Sequence, residues 1–192
     1  MKKIILASAS PRRRELLAQL GIVPIVYASS VTERILPGEI PEVAAMSLAF
    51  QKAVDAEGRY KEGLIIAADT IVVLKGRIMG KPSNRAEAFD MLKNLSGKTH
   101  EVITGFAIID PESGTKVVDY EKTLVRFRVL DEDRINAYIE SGECEDKAGS
   151  YGIQGKGALL VDKIEGCYFN IVGLPLSKVG SYFNSIFGIN LL

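Results

Sequence analysis

The 192-residue chain has one histidine, His100, and two cysteines, Cys144 and Cys167. This scarcity argues against zinc sites built from several histidines and against nucleophiles activated by a histidine. The two cysteines have no metal-ligand spacing, and we expect reduced thiols in a cytoplasmic protein. We expect His100 to be a surface or packing residue, so acid–base chemistry must come from carboxylates.

The chain also lacks an excess of charge of either sign, with 24 basic and 24 acidic residues. No global basic field exists for nucleic acid, and any anion site must be local. No apolar run approaches the roughly 18 residues of a membrane span. The apolar start at residues 4–9 is too short for a secretory signal, and we interpret it as a strand.

Three arginines stand where the first helix is predicted to begin. Ser10 suits the N-cap and Pro11 the first helical position, so Arg12, Arg13 and Arg14 fall in the first turn. That turn is the positive end of the helix dipole, where cations are unfavourable. A phosphate group bound there would resolve the conflict, because helix N-termini and arginine forks both bind phosphate. The alternative is a solvated basic turn.

Helical spacing orients only one of these arginines. Arg13 shares its face with three leucines, which are Leu16, Leu17 and Leu20. Arg13 is therefore predicted to point inward. Arg12 and Arg14 lie to either side, and the spacing does not decide which of them reaches the site.

Patterns of apolar residues and turn signals predict the remaining elements. Strands are expected at 22–28, 64–74, 101–109, 116–129, 158–164 and 167–172, with a return strand at 78–79. Helices are expected at 41–55, from a Ser83 cap to about Leu95, at 131–141 and at 175–187. A loop is expected at 29–41 and a glycine-rich loop at 147–157.

Finer expectations concern which side chains face inward. On the second helix Val43, Met46, Phe50 and Val54 share one side, with Lys52 on its flank. On the third helix Phe89, Leu92 and Leu95 are the inward positions.

Strands outnumber simple βαβ units, so the fold class expected is α/β with a mixed, largely antiparallel sheet flanked by helices. The chain has no linker or repeat. We therefore expect one domain over residues 1–192, with room for two lobes and a cleft between them.

Asp69 interrupts an apolar predicted strand, A-A-D-T-I-V-V. A buried carboxylate needs a cation, a metal or several donors, and it is a natural general base or metal ligand. The alternative is a strand-end aspartate bonded to backbone amides. Lys81, which follows the return strand, could reach the same end of the hairpin, although a solvated lysine there is equally ordinary.

Other candidate residues carry weaker signals. Lys52 on a helix flank and Glu33 in a polar loop are by default solvated. The loop K-A-G-S-Y-G-I-Q-G-K-G matches no established phosphate-binding motif. Gln154 within it offers both a donor and an acceptor, which suits the imide edge of uracil or thymine.

Five motifs in order along the chain resemble one family. They are the S-A-S-P-R-R start, A-D-T-I-V, G-K-P, L-S-G-K-T-H-E-V, and D-K-A-G-S-Y-G-I-Q-G followed by G-L-P-L. Together they resemble the Maf nucleotide pyrophosphatases from end to end. The combination of D-T with Y-G-I-Q is similar to the subgroup that acts on dTTP and UTP.

The resemblance implies a fold, an activity and a set of site residues. It implies the ITPase-like Maf fold and hydrolysis of the α–β phosphoanhydride of a nucleoside triphosphate, with Mg²⁺ or Mn²⁺. Asp69 matches the proton acceptor, and we expect Glu33 and Asp69 to hold the metal. Arg13, Lys52 and Lys81 match the residues that carry the phosphate charge, and Ser8 and Glu33 match further site positions. We expect Glu33, Lys52 and Lys81 to be catalytic and Ser8 and Arg13 to bind substrate, with Arg12, Thr70 and Gln154 matching the base-selecting positions.

Two rival functions and one assembly also have to be considered. The family is tied to inhibition of septum formation, so a nucleotide-binding regulator of cell division with little turnover is the main alternative. A phosphatase acting on terminal phosphates is the second. The resemblance suggests a homodimer, and we expect no nucleic-acid or membrane partner.

Overall fold

The computed structural model describes residues 2–36 and 38–192. Met1 and Pro37 lie outside the described residues. Both belong to the predicted domain, and Pro37 also belongs to the loop predicted at 29–41. The strands are β1 Ile4–Leu6, β2 Ile25–Val26, β3 Leu64–Leu74, β4 Arg77–Met79, β5 Thr99–Asp110, β6 Thr115–Phe127 and β7 Val161–Glu165. The helices are α1 Pro11–Gln19, α2 Pro41–Arg59, α3 Arg85–Leu95, α4 Glu132–Glu140, α5 Tyr168–Val172 and α6 Leu176–Ser185, with 3₁₀ turns at Ala148–Ser150 and Gly155–Leu160.

The strands form one mixed sheet in the order β2-β1-β3-β5-β6-β7, with β4 paired to β3. β1 is parallel to both neighbours, with Ile5 opposite Ile25 and Ile65. β4 runs antiparallel to β3, and β7 runs antiparallel to β6. The predicted fold class, a mostly antiparallel mixed sheet flanked by helices, is confirmed.

The residues pack into two compact units. The first comprises the residues up to Asp69 together with Thr104–Glu121 and Gly173–Leu192, and the second comprises Thr70–Ile103 and Lys122–Val172. The expectation of one domain with a cleft stays a prediction. Across the described part of the chain, no helix has both the length and the apolar character that a membrane crossing requires.

In the first unit, helix α2 packs against the sheet through small side chains. Its buried residues are Ala44, Ala45, Leu48, Ala49, Ala53 and Ala56. Gly105 on β5 permits this close approach, because a Cβ atom there would lie 2.2 Å from the backbone carbon of Ala45. The apolar side predicted for this helix is not the buried one, since Val43 and Val54 are exposed. The alanine positions mark the buried side instead, because α2 approaches β5 closely at Ala45.

Helix α3 begins one residue later than predicted. Asn84, not Ser83, is the N-cap, and its side-chain oxygen accepts a bond from the Glu87 amide at 2.9 Å. Ser83 instead donates its hydroxyl to the Glu87 carboxylate. Asparagine and serine are equally good caps, so the pattern alone did not separate them. Leu92 and Leu95 are buried as predicted, whereas Phe89 is half-buried beside the buried Ala88.

The predicted hairpin around residues 158–172 is wrong in its second strand. β7 begins at Val161 after a 3₁₀ turn, and residues 168–172 form helix α5. The cause is Thr123, whose hydroxyl donates to the Cys167 carbonyl at 3.0 Å and accepts from the Cys167 amide at 3.1 Å. Asn170 also donates to this hydroxyl at 2.9 Å. The Thr123 side chain thus forms hydrogen bonds with the Cys167 amide and carbonyl, which would otherwise be available for strand pairing.

Candidate active site

In the first unit, a single ammonium group holds two carboxylates. Lys52 Nζ lies 2.5 Å from Asp69 Oδ1 and 2.6 Å from Glu33 Oε1. The Lys52 and Asp69 side chains are 12% and 11% exposed, whereas Glu33 is 45% exposed. Lys52 extends from α2 and Asp69 from β3, so helix and sheet contribute opposite charges. Asp69 thus lies within β3 rather than at its end, and it pairs with a lysine.

Arg13 is buried beside the end of β1, as its helical spacing predicts. Its Nε donates to the Gly173 carbonyl at 2.8 Å, and its Nη1 donates to Ser8 Oγ at 3.0 Å. Ser8 Oγ also accepts from the Ser10 amide at 3.2 Å. The side chains of Ser8 and Arg13 are therefore fixed relative to the N-terminus of α1.

The charge of Arg13 is held in an unfavourable setting. Burial lowers the pKa of the Arg13 guanidinium, and the field of Asp69 partly offsets this effect. The neighbouring Arg12 lowers the pKa further, while Glu33 raises it. Because a buried cation needs anionic partners, this cluster favours an additional anion such as phosphate.

The first turn of α1 begins at Pro11 and contains the three arginines, as predicted. Ser10 occupies the N-cap position, and its carbonyl accepts the Arg14 amide at 3.4 Å, although within the described residues its hydroxyl makes no capping bond. Arg12 is half-buried and Arg14 is exposed, so Arg14 is the member that faces solvent. Leu20, predicted to face inward, is half-buried beyond the helix end.

Sequence reasoning missed Asp55, which fixes the segment leading to Glu33. Asp55 Oδ2 accepts bonds from the Ser29 hydroxyl at 2.7 Å and the Ser30 amide at 3.2 Å. The hydrogen bond from Ser29 is the main reason that the pKa of the Asp55 carboxyl lies below its usual value. The one available signal was its spacing of three from Lys52, which places both on one side of α2.

The other predicted site residues belong to the second unit. Thr70 is half-buried on β3, and Lys81 is exposed after β4. Gln154 is exposed at the start of the second 3₁₀ turn. The Gly149 amide donates to the Gly80 carbonyl at 3.0 Å, so the loop that carries Gln154 is tied to the residue before Lys81.

The glycine-rich loop is rigidly anchored before Gln154. Tyr151 is buried, and its hydroxyl shares a 2.7 Å hydrogen bond with Nε2 of His100. The Gly152 amide donates to the Tyr138 hydroxyl at 3.2 Å, and Ser150 Oγ donates to the sulfur of Met91 at 3.0 Å. These bonds fix the backbone on which Gln154 is presented.

The anchors continue after Gln154. The carboxylate of Glu143 accepts the Lys156 amide at 3.0 Å and the Gly157 amide at 3.4 Å. Gly157 packs so closely that a Cβ atom there would lie 1.8 Å from the Gly152 carbonyl oxygen. Gln154 is therefore an exposed side chain on an immobilised turn, which suits recognition without reordering.

His100 is a packing residue, as predicted. It is 2% exposed, and its ring meets Phe127 and Tyr151 edge to face. Burial lowers the pKa of the imidazole to about 4, so the ring is neutral at pH 7. Its Nδ1 has no hydrogen-bond partner within the described residues.

The carboxylates of the first unit fit a divalent cation only in combination with a substrate. Asp69 and Glu33 each place one oxygen within hydrogen-bond distance of the same Lys52 nitrogen. In the described chain, no group of three or more His, Cys, Asp or Glu side chains could hold a metal. Mg²⁺ is commonly bound by one or two carboxylates with substrate phosphates and water, and this donor set fits that mode.

The fold is mixed α/β, and its cluster of a buried arginine, a lysine and two carboxylates defines an α/β protein with a site suited to an anion such as phosphate. The family profile described as "Maf-like protein" matches residues 3–186. The chain therefore belongs to the family of Maf-like proteins.

Similar proteins from several bacteria carry one common name. The chain is 53% identical to the dTTP/UTP pyrophosphatase of Alkaliphilus oremlandii, with full coverage of both chains. It is 48% identical to the dTTP/UTP pyrophosphatase of Clostridioides difficile over 98% of this chain and 97% of that protein. It is 49% identical to the protein of the same name from Caldicellulosiruptor saccharolyticus, over 97% of this chain and 96% of that protein.

Proposed function

We propose that the protein is a nucleoside triphosphate pyrophosphatase that hydrolyses dTTP and UTP to the monophosphate and pyrophosphate. The observation that carries this proposal is Asp69, a nearly buried carboxylate held by Lys52 at 2.5 Å. The names of the similar proteins, at about half sequence identity over nearly whole chains, support the same substrates.

In the proposed reaction, Asp69 orients and deprotonates a water molecule. The water oxygen attacks the α-phosphorus, the bond to the bridging oxygen breaks, and pyrophosphate leaves with that electron pair. The proton passes to the carboxylate of Asp69. Lys52 fixes one oxygen of this carboxylate, and we assign the other, Oδ2, to the water.

The cations would bind the phosphates as negative charge shifts toward the leaving group. Arg13 and Lys52 serve this role in the first unit, and we assign Lys81 to the same role. Ser8, bonded to Arg13, contributes a hydroxyl to phosphate binding. A donor aimed at developing charge is worth about 3 to 4 kcal/mol by analogy with oxyanion-hole deletions.

Asp69 and Glu33 would hold a divalent cation, Mg²⁺ or Mn²⁺, together with the substrate phosphates. When bound, such a cation neutralises phosphate charge and helps to align the triphosphate. The Glu33 carboxylate would then have two possible partners, the cation and Lys52. Its exposure leaves it able to change between them.

The base would be selected by Arg12, Thr70 and Gln154. Gln154 supports this role because its amide is exposed on an immobilised turn and matches the donor and acceptor of a uracil or thymine edge. Canonical and modified pyrimidine triphosphates share that edge. The proposal places the protein in the cytoplasm, where free nucleotides are, and it includes a homodimer.

The test is product analysis of the wild-type protein and of Asp69→Asn with dTTP and Mg²⁺. We expect pyrophosphate and monophosphate from the wild type, and a loss of about 10²- to 10⁴-fold in kcat for Asp69→Asn. Asp90→Asn is the matched control, because Asp90 is an exposed aspartate on α3.

Three outcomes would contradict the proposal. Orthophosphate as the product would mean that a terminal bond is cleaved. Nucleotide binding without turnover would favour the regulator of septum formation. Undiminished turnover in Asp69→Asn would remove Asp69 from the reaction.

A further inference from the structure

Asp55 lies one helical turn after Lys52 and is bonded to a different part of the chain. Its Oδ2 accepts bonds from the Ser29 hydroxyl at 2.7 Å, the Ser30 amide at 3.2 Å and the Tyr27 hydroxyl at 3.3 Å. All three donors lie at the point where the chain leaves β2. One oxygen therefore fixes the beginning of the connection between β2 and α2.

That connection has no regular structure of its own in the residues described. From Ser29 to Ile40 most of the described residues are exposed, and they form neither helix nor strand. Ser29 Oγ also accepts the Val31 amide at 3.3 Å, so the order begun at Asp55 extends along the backbone toward Glu33.

Glu33 reaches Lys52 from this otherwise exposed segment. The ion pair measures 2.6 Å, yet the Glu33 side chain is 45% exposed. Lys52 is nearly buried, but the Glu33 carboxylate is open to water, which screens its attraction to the lysine. The pair with Lys52 is thus a poor anchor for the segment, whereas a charged acceptor with three donors is a strong one.

We propose that Asp55 is a positioning residue that acts through Glu33. Asp55 fixes Ser29 and Ser30, and the few residues that follow then deliver the Glu33 carboxylate to Lys52 and Asp69. This inference rests on the proposed function for the role of Glu33 in turnover, but not for the anchoring itself. Because α2 carries both Lys52 and Asp55, one rigid element sets the segment's start and the position of its target.

The kinetic test is a double-mutant cycle between Asp55→Ala and Glu33→Gln with dTTP and Mg²⁺. We expect Asp55→Ala alone to lower kcat/KM by about tenfold or more. In the Glu33→Gln background it should cause little further loss, since both changes act on the same Glu33 carboxylate. Asp55→Asn should retain activity within about threefold, because its amide oxygen can accept the same bonds. Independent, multiplying losses would show a merely structural role and overturn the proposal.

The matched control is Glu57→Ala. Glu57 lies two residues further along α2 and pairs with Lys116 at 2.6 Å, away from the segment. The Glu57→Ala substitution removes a carboxylate and an ion pair from the same helix. We expect its kcat/KM to remain that of the wild type and to be independent of Glu33→Gln.

A second readout does not depend on turnover. Hydrogen exchange in the peptide covering residues 29–34 should accelerate by at least tenfold in Asp55→Ala, and less in Asp55→Asn, which keeps an acceptor oxygen but loses its charge. It should remain unchanged in Glu57→Ala. Unchanged exchange in Asp55→Ala would overturn the anchoring. If the wild type released no pyrophosphate, the proposed function would fail, and exchange would still decide whether Asp55 holds the segment.

Discussion

Lys52 and Asp69 form a nearly buried ion pair at 2.5 Å that joins helix α2 to strand β3. Because Lys52 also holds Glu33, its removal would leave two neighbouring carboxylates without the cation that both contact directly. Breaking a buried pair costs more than the pair itself contributes, since an uncompensated charge remains.

We predict that Lys52→Met destabilises the protein by about 3 kcal/mol, measured by chemical denaturation at pH 7. Adding Asp69→Asn to Lys52→Met should recover part of the loss, because the stranded charge is then removed. A change below about 1 kcal/mol for Lys52→Met would show that solvent screens this pair as it does a surface pair.

Replacing Arg13 should weaken ligand-induced stabilisation. At a concentration one hundred times its dissociation constant, dTTP should stabilise the wild type by about 2.7 kcal/mol. In Arg13→Ala the shift measured by thermal unfolding with dTTP should be largely lost, because the guanidinium at the N-terminus of α1 is gone. Arg14→Ala, at an exposed position, is the control and should keep the full shift. Equal shifts in both variants would indicate that the arginine turn is solvated and does not bind the nucleotide.

Gln154→Glu should change selectivity more than it changes the overall rate for other nucleotides. The variant loses an amide donor and gains a charge, so kcat/KM for dTTP and UTP should fall by about 10- to 100-fold relative to dCTP. Gln19→Glu makes the same chemical change at an exposed position at the end of α1. Unaltered ratios in a triphosphate panel would remove Gln154 from base selection.

Acid should destabilise the fold through His100. Burial lowers its pKa to about 4 in the folded protein, below the usual 6.5, so the folded state binds fewer protons than the unfolded state. This contribution to stability is complete above pH 6.5 and is lost as the pH falls toward 4. Its full size is about 3 kcal/mol.

The double variant His100→Phe/Tyr151→Phe isolates this contribution. It replaces both hydrogen-bonding partners with apolar groups of similar shape, which is nearly neutral at pH 7. Its stability should fall less steeply than that of the wild type between pH 6.5 and 4, and Tyr151→Phe alone should keep the wild-type slope. Identical slopes in the double variant and the wild type would locate the acid sensitivity elsewhere.

Gly105→Ala should be among the most damaging single-methyl changes in the chain. The added Cβ would lie 2.2 Å from the Ala45 backbone, so α2 or β5 must move. We expect a loss of about 3 kcal/mol in unfolding free energy or more. Gly180→Ala in α6 is the opposite control: nothing lies within 4 Å of its added Cβ, and it should stabilise by up to about 1 kcal/mol.

The sequence was informative where a local rule determines the outcome. The helix period placed Arg13 inward with Leu16 and Leu17, and burial confirms it. The apolar interruption at Asp69 indicated a paired carboxylate, and Lys52 is that partner. Both inferences need only one element and its nearest neighbour.

It was less informative where a distant side chain determines the local backbone. Residues 167–172 have strand-like composition, yet Thr123 binds the backbone of Cys167 and the chain turns into a helix. The anchoring of Ser29 by Asp55 likewise joins residues 26 positions apart. Neither long-range bond leaves a periodic trace in the sequence.

The row of alanines on α2 has a consequence for the chemistry. Ala49 and Ala53 pack in one buried cluster with Ala67 and Ala107 of the sheet, so small side chains from both layers meet here. The close approach of α2 to the sheet is what allows Lys52 on the helix to reach Asp69 on β3 at 2.5 Å. We expect a larger residue at Ala49 or Ala53 to push α2 away from the sheet and to lengthen the contact between Lys52 and Asp69.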